Sequence, residues 1–442
     1  MSKENRRETG TYNLEIDGGR RRFLSSAGIA TGGLLASGLS VPGSANAKVS
    51  IDYPDETVPA PMRFLGGEYS LAERDLRWEK IRHMMKELGL DCLIIPAGAG
   101  DSYVNYAGYV SNAGFMNPGA VILPLREEPT IYGTLPMPSQ WISNVGEKGV
   151  PLGEAIAYRL NELALGSKNI GVVGTKGKVF GLNEFTDQGL VTYSAWQHVI
   201  DKLPKASFVD VTPQLALLML VRTQEEIKAY ERTAAVGENL HRLLLDYVKP
   251  GISDRDLRSL VAEHMIRSRA TVDVDALEMR QGIVQKGDII NSEYGIHHRG
   301  GYTQSTLCMS VGAPDKQTAA LAEVAHECMQ VGLGRLKPGV KFGEVIERME
   351  KVIIDAGYWH GFPVLHSLGP LVLVGPVAWF PPPAKPDEIL GADVVIKEGM
   401  IFSFEPGARV GSSAQVKVGG SGVVTATGVR MFNSLGTRMR IV

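Results

Sequence analysis

The chain has 442 residues, of which 44% are hydrophobic and 21% charged, and 46 Lys and Arg face 48 Asp and Glu for a net charge of −2. That length suffices for two domains with buried cores, and the composition excludes a disordered or fibrous chain. It also leaves no basic footprint for nucleic acid.

Residues 1–47 do not read as part of the fold. An apolar run rich in Gly and Ala covers residues 27–41, and Ala45-Asn46-Ala47 has the small-x-small form of a signal-peptidase site. The run is shorter and richer in glycine than the ~20 apolar residues that a spanning helix needs, and no other segment reads as transmembrane. Ahead of it, Arg20-Arg21-Arg22-Phe23-Leu24 resembles the twin-arginine export motif. That resemblance implies passage of a folded protein through the twin-arginine machinery to a periplasmic or secreted location. Residues 48–69 form a polar linker dotted with Pro54, Pro59 and Pro61.

From residue 70 the patterning becomes regular. Leu71, Leu76, Ile81, Met84, Met85 and Leu88 predict a helix over residues 70–90 that Gly89 ends. Short apolar runs at 91–96, 119–123, 129–132 and 169–173 predict strands, separated by helices near 153–165 and 183–203. The alternation implies an α/β layer with a parallel or mixed sheet over residues 70–213. The joint lies near Asp210-Val211-Thr212-Pro213. Beyond it, a helix at 224–247 leads to Lys249-Pro250-Gly251, after which Ser253 is placed to cap the next helix. The phrase returns as Lys337-Pro338-Gly339, 88 residues later, between helices at 316–335 and 342–356. Cys92, Cys308 and Cys328 are isolated, which argues against a disulfide framework and a zinc–thiolate site.

Three segments carry the chemistry. They are residues 287–295 with Gly301-Tyr302, then Leu365-His366-Ser367-Leu368-Gly369, then residues 398–407 ending in Glu405-Pro406-Gly407. In this order they resemble the pita-bread family of creatinase, prolidase, Xaa-Pro aminopeptidase and methionine aminopeptidase. The resemblance covers roughly residues 70–442. It implies an α/β N-terminal creatinase-like domain (70–213), then an α+β pita-bread catalytic domain with pseudo-twofold symmetry (214–442), and a homodimer.

Metal-dependent members of that family place ligands at five positions. By resemblance, Glu293 of Glu293-Tyr294-Gly295 fills the first, Ser305 the second, His366 the third and Glu405 the fourth. The fifth falls in Val416-Lys417-Val418-Gly419-Gly420 and is a glycine. Two divalent ions about 3.5–4 Å apart need bridging carboxylates to offset their charge, and two carboxylates with one imidazole do not supply it. The resemblance therefore implies no metal, as in creatinase. The alternative is a single Zn, Mn or Co ion on Glu293, His366 and Glu405. Creatinase's own catalytic histidine has no counterpart, because residues 271–281 contain none.

His366, Glu405 and Glu293 are thus the candidate catalytic residues. His298, Arg299, Tyr302 and Arg280 are the candidate substrate contacts, with His297 beside them. An arginine offers a substrate carboxylate two parallel bonds, and Tyr103, Tyr106 or Tyr109 of a dimer partner could add aromatic surface. The plainer alternatives are a core histidine at 366, a turn-bridging carboxylate at 405 and a solvated hairpin tip at 297–298. The expected activity is a periplasmic, creatinase-like hydrolase cleaving a C–N bond in a small-molecule or short-peptide substrate. An Xaa-Pro aminopeptidase with a reduced metal site and an inactive ligand-binding protein are the alternatives.

Overall fold

The computed structural model describes residues 67–97, 106–113, 119–133, 139–175, 191–279, 282–377, 388–411 and 414–442. The leader at 1–47, most of the linker, Tyr103, Arg280 and the Pro381-Pro382-Pro383 loop lie outside them.

Helix α1 (Leu71–Glu87) starts where the Ser70 hydroxyl accepts the Glu73 N–H at 3.1 Å, a side-chain cap for an otherwise orphaned donor. Its buried stripe is Arg77, Trp78, Ile81, Met84 and Met85, at the spacing of one helical face. Leu71, Leu76 and Leu88 of the expected stripe are exposed instead: Leu76 lies off that face, Leu71 is the first residue of the helix and Leu88 is its C-cap. Strand β1 (Cys92–Ala97) follows, then a short helix α2 (Tyr106–Ser111), in a segment for which the sequence predicted no element. Next come β2 (Gly119–Pro124), β3 (Thr130–Gly133), α3 (Leu152–Glu162), β4 (Asn169–Val172), α4 (Tyr193–Lys202) and β5 (Ser207–Asp210). The strands form one mixed sheet in the order β3-β2-β1-β4-β5, antiparallel on the β1–β2–β3 side and parallel from β1 through β4 to β5. Strands β1 and β2 are buried along their whole length, as an apolar central pair must be.

Helix α5 (Thr212–Leu220) spans the joint expected from the sequence, with Pro213 in its first turn. Helix α6 (Gln224–Tyr247) opens on a capping box: Thr223 accepts from the Glu226 backbone and Glu226 from the Thr223 backbone. Then come α7 (Asp254–Arg267), capped by Ser253, and the antiparallel strands β6 (Thr271–Glu278), β7 (Ile289–His298) and β8 (Gly301–Ser310). Helices α8 (Lys316–Arg335) and α9 (Phe342–Asp355) precede β9 (Leu365–Ser367), β10 (Ile401–Phe404), β11 (Gly407–Val410), β12 (Ala414–Lys417), β13 (Gly420–Thr425), β14 (Gly428–Met431) and β15 (Arg440–Ile441). Three sheets result, ordered β15-β8-β7-β6, β14-β13-β10-β9 and β11-β12.

The two Lys-Pro-Gly phrases occupy matching places. Gly251 N–H donates to Val284 O and Val284 N–H to Ile252 O; Gly339 N–H donates to Ile396 O and Ile396 N–H to Val340 O. Both glycines take a positive φ, 97° and 90°, which a residue without a Cβ adopts freely. Each turn thus ties its helix pair to the loop leading into the next strand, β7 in the first unit and β10 in the second.

Candidate active site

The site lies where the β7–β8 hairpin meets β9, β10 and β12. Alternation along β7 sends Tyr294 and Ile296 into the apolar core with Val236 and Leu240 of α6, and Glu293 to the other face. The strand register pairs Glu293 with Thr306 and Gly295 with Gln304, which puts Gln304 and Thr306 on the Glu293 face. Gln304 Nε2 donates to Glu293 Oε1 at 3.2 Å. Ser305 pairs with Tyr294 instead and faces α6, where its hydroxyl lies against Gly237 and within reach of Asn433. The residue beside Glu293 is therefore Gln304, not the expected Ser305; a one-residue difference in register moves a side chain to the opposite face.

His366 on β9 pairs with Ser403 of β10, and Glu405 follows that strand. His366 Nε2 and Glu405 Oε1 stand 2.9 Å apart, and His366 Nδ1 is 2.9 Å from Ser367 O. Both partners are hydrogen-bond acceptors, so both ring nitrogens are called on to donate, which is the imidazolium form. The electrostatics agree. Burial disfavours the imidazolium, but the Glu405 charge and hydrogen bond hold the His366 pKa above its usual value. For Glu405 burial acts upward, and the His366 and Lys417 charges bring its carboxyl below the usual range.

Lys417, the last residue of β12, completes the cluster. Only 1% of its side chain is accessible, and its ammonium contacts Glu293 Oε2. The ammonium also lies over the Phe362 ring, 4.5 Å from its centre. Asn291 clamps the strand behind it: Asn291 Oδ1 accepts from Lys417 N–H at 3.3 Å and Nδ2 donates to Gln415 O at 3.2 Å. Burial lowers the Lys417 pKa, and the Glu293 and Glu405 carboxylates raise it by more, to a net upward shift. Burial and the Glu405 charge push the Glu293 carboxyl up, against the pull of Lys417. Lys417 was quoted in the sequence only as a neighbour of Gly419. The signal that could have found it is a lone cation between Val416 and Val418.

The structure brings Glu293, His366 and Glu405 into one electrostatic cluster and sets the expected substrate contacts apart from one another. Tyr302 is buried on the Glu293 face, with His297 stacked on its ring at 4.5 Å and held by Asp273 at 3.0 Å. His298 falls on the opposite face with Tyr294 and Ile296, and burial with nearby Arg299 and Arg232 lowers its pKa to about 4. Arg299, at the hairpin turn with φ 47°, pairs with Glu68 at 3.4 Å. Arg280 lies outside the described residues.

A second buried ionic cluster braces the site from behind. Glu226 Oε1 lies 3.0 Å from Arg222 and 3.5 Å from Arg77, and Arg77 bonds Glu73 at 2.6 Å. Arg222 Nη2 also donates to Leu368 O at 2.9 Å, two residues beyond His366.

Residues 228–432 match the profile of metallopeptidase family M24. Over these residues the chain is similar to that family. The Xaa-Pro dipeptidase of Lactobacillus helveticus is 25% identical over 263 residues, 56% of this chain and 69% of that one. The uncharacterized peptidase YqhT of Bacillus subtilis is 23% identical over 372 residues, 80% of this chain and 97% of that one. Among solved structures, the X-Pro aminopeptidase from Thermotoga maritima superposes with a TM-score of 0.65 at 16% identity, covering 83% of this chain and 99% of that chain. The Xaa-Pro dipeptidase from Bacillus anthracis superposes at 0.64 and 16%, covering 84% and 100%. These superpositions establish a fold shared with prolidases and aminopeptidases.

The M24 name implies metal, and the residues present can be tested against it. Beside Glu293 stands a neutral amide, Gln304. At Gly419 any Cβ would overlap the Phe404 carbonyl oxygen, so no ligand side chain fits there. Among the described residues of the cluster, two carboxylates, Glu293 and Glu405, face the Lys417 ammonium and the His366 imidazolium. Among the described residues, no group of three or more His, Cys, Asp or Glu side chains is arranged to hold an ion. By their charge, the described residues of this site do not fit a pair of divalent cations.

Proposed function

We propose that the protein is a hydrolase that cleaves a C–N bond in a small amide, amidino or Xaa-Pro-like substrate without a dinuclear metal centre, and that it acts in the periplasm. The observation that carries the reading is one buried cluster in which Glu405 Oε1 stands 2.9 Å from His366 Nε2 while Glu293 is held by Gln304 and Lys417, surroundings that push the Glu293 carboxyl upward and the Glu405 carboxyl downward. Such a separation divides acid and base roles between groups of the same kind.

Glu405 stays ionised and holds His366 as the imidazolium. Glu293, with the higher affinity for a proton, takes one from the attacking water as its oxygen bonds to the substrate carbon. As the C–N bond breaks, the His366–Glu405 pair releases its proton to the departing nitrogen. Return of the Glu293 proton to that pair after product release closes the cycle. Gln304 Oε1 and the Thr306 hydroxyl are buried without a hydrogen-bond partner among the described residues, and both lie on the Glu293 face. They are suited to hold a substrate N–H and its neighbour. The names of the relatives favour a short peptide, and the twin-arginine motif supports export.

The test is turnover of chelator-treated protein on small amides, guanidino compounds and Xaa-Pro dipeptides. The proposal expects hydrolysis that survives chelation and falls ~10²–10⁴-fold in His366→Gln, the range typical of general acid–base groups. Turnover that appears only on adding Mn, Zn or Co would favour the metal-dependent alternative. Binding of a substrate without any turnover would favour the inactive one.

A further inference from the structure

We infer that Lys417 is the resident cation of this site: its ammonium takes the electrostatic place of a metal ion between Glu293 and Glu405, and it keeps divalent ions out. The inference deepens the reaction proposed above by naming the positive charge at its centre. It is separable from that reaction, because ion binding is measured without turnover.

Three features place the charge. Lys417 Nζ contacts Glu293 Oε2, and the Glu405 carboxylate is near enough to shift Lys417 upward. The Phe362 ring covers the ammonium at 4.5 Å, a face that suits a cation on a carbon stem and offers a metal no lone pair. Asn291 fixes the backbone of β12 at Gln415 and Lys417, so the side chain enters from an anchored strand. A buried ammonium is costly unless paired, and these groups provide the pairing.

The other altered positions point the same way. Gln304 donates an N–H to Glu293, where a ligand carboxylate would add charge. Gly419 leaves the end of β12 without a side chain, and the Phe404 carbonyl fills the space. With the ammonium seated against Glu293, a divalent ion there would meet a like charge at contact range, and both oxygens of its anionic ligand are already engaged. The site thus carries a cation that cannot dissociate and that no chelator removes.

The experiment titrates cobalt(II) into the full chain after chelator treatment, following visible absorption and binding heat. It uses the wild type, Lys417→Gln, and Gln304→Asp/Lys417→Glu, with thermal melts to confirm folding. The expected results are no stoichiometric binding and no visible band for the wild type, and a gain of both in the double variant. That gain is lost when Glu405→Gln is added. Lys417→Gln, which removes the charge at similar size, is the second route to the answer if the double variant does not fold, and it gains measurable cobalt affinity. Stoichiometric binding by the wild type that Glu405→Gln abolishes overturns the inference. So does a folded Lys417→Gln variant that binds cobalt no better than the wild type.

Discussion

Lys417 and Glu293, 124 positions apart in the chain, meet as a buried ammonium–carboxylate pair between β12 and β7. Neither is stable there alone. Removing one partner from such a pair typically costs about 3–5 kcal/mol, because the other charge stays desolvated. Lys417→Met is therefore expected to lower stability by that amount in urea unfolding. Glu293→Gln added to it should recover much of the loss. A double variant no more stable than Lys417→Met would mean the two groups are not coupled.

The His366–Glu405 pair gives a pH dependence with a definite sign. His366 is raised above its ordinary value of 6.5, so its contribution to stability is complete below 6.5 and is lost as pH rises through the folded value. Glu405 is lowered from 4.5, so its contribution is complete above 4.5 and is lost as pH falls through the folded value. The pair is fully stabilising between those two ordinary values and weakens on either side. In Glu405→Gln the window disappears, and the His366 imidazole, followed by NMR, titrates at lower pH than in the wild type.

Glycine substitutions separate packing from propensity. Gly419→Ala drives a methyl into the Phe404 carbonyl and next to the Glu405 backbone, and overpacking of this kind costs about 1–3 kcal/mol or more. Gly334, on the exposed side of α8, has open space where a Cβ would go. There Gly334→Ala should be neutral or stabilise by up to about 1 kcal/mol. Thermal melts that rank the two variants the other way would contradict the packing described at the end of β12.

Arg222 joins the N-terminus of α6 to the backbone behind His366, through Glu226 and Leu368 O. Arg222→Met leaves Glu226 short of a buried partner and frees that carbonyl, an expected loss of about 3–5 kcal/mol. Arg430→Met breaks an exposed pair with Glu231 and should cost under about 1 kcal/mol. Equal costs for the two would remove the case for Arg222 as a brace.

Most of the fold was legible because local rules and global packing agree. Ser253 announces the start of α7, the Lys-Pro-Gly phrases mark equivalent turns, and the apolar runs of β1 and β2 are buried strands. The stripe on α1 was misjudged because Leu76 is apolar yet off the buried face and Leu71 and Leu88 sit at the helix ends, whereas Arg77 is on the face. An arginine reads as surface until Glu73 and Glu226 are brought to it by the fold. At the site, Glu293, His366 and Glu405 were visible from the phrases around them. Gln304 was missed because the choice between adjacent residues depends on strand register. Lys417 was missed because only the approach of β12 to β7 reveals its partner.

The most direct measurement is a crystal structure of the protein soaked in manganese(II) or zinc(II), with anomalous difference maps. The account predicts no anomalous peak among Glu293, His366 and Glu405, and clear density for the Lys417 ammonium against Glu293. Two neighbouring peaks coordinated by Glu293 and Glu405, with Lys417 turned away, would contradict it.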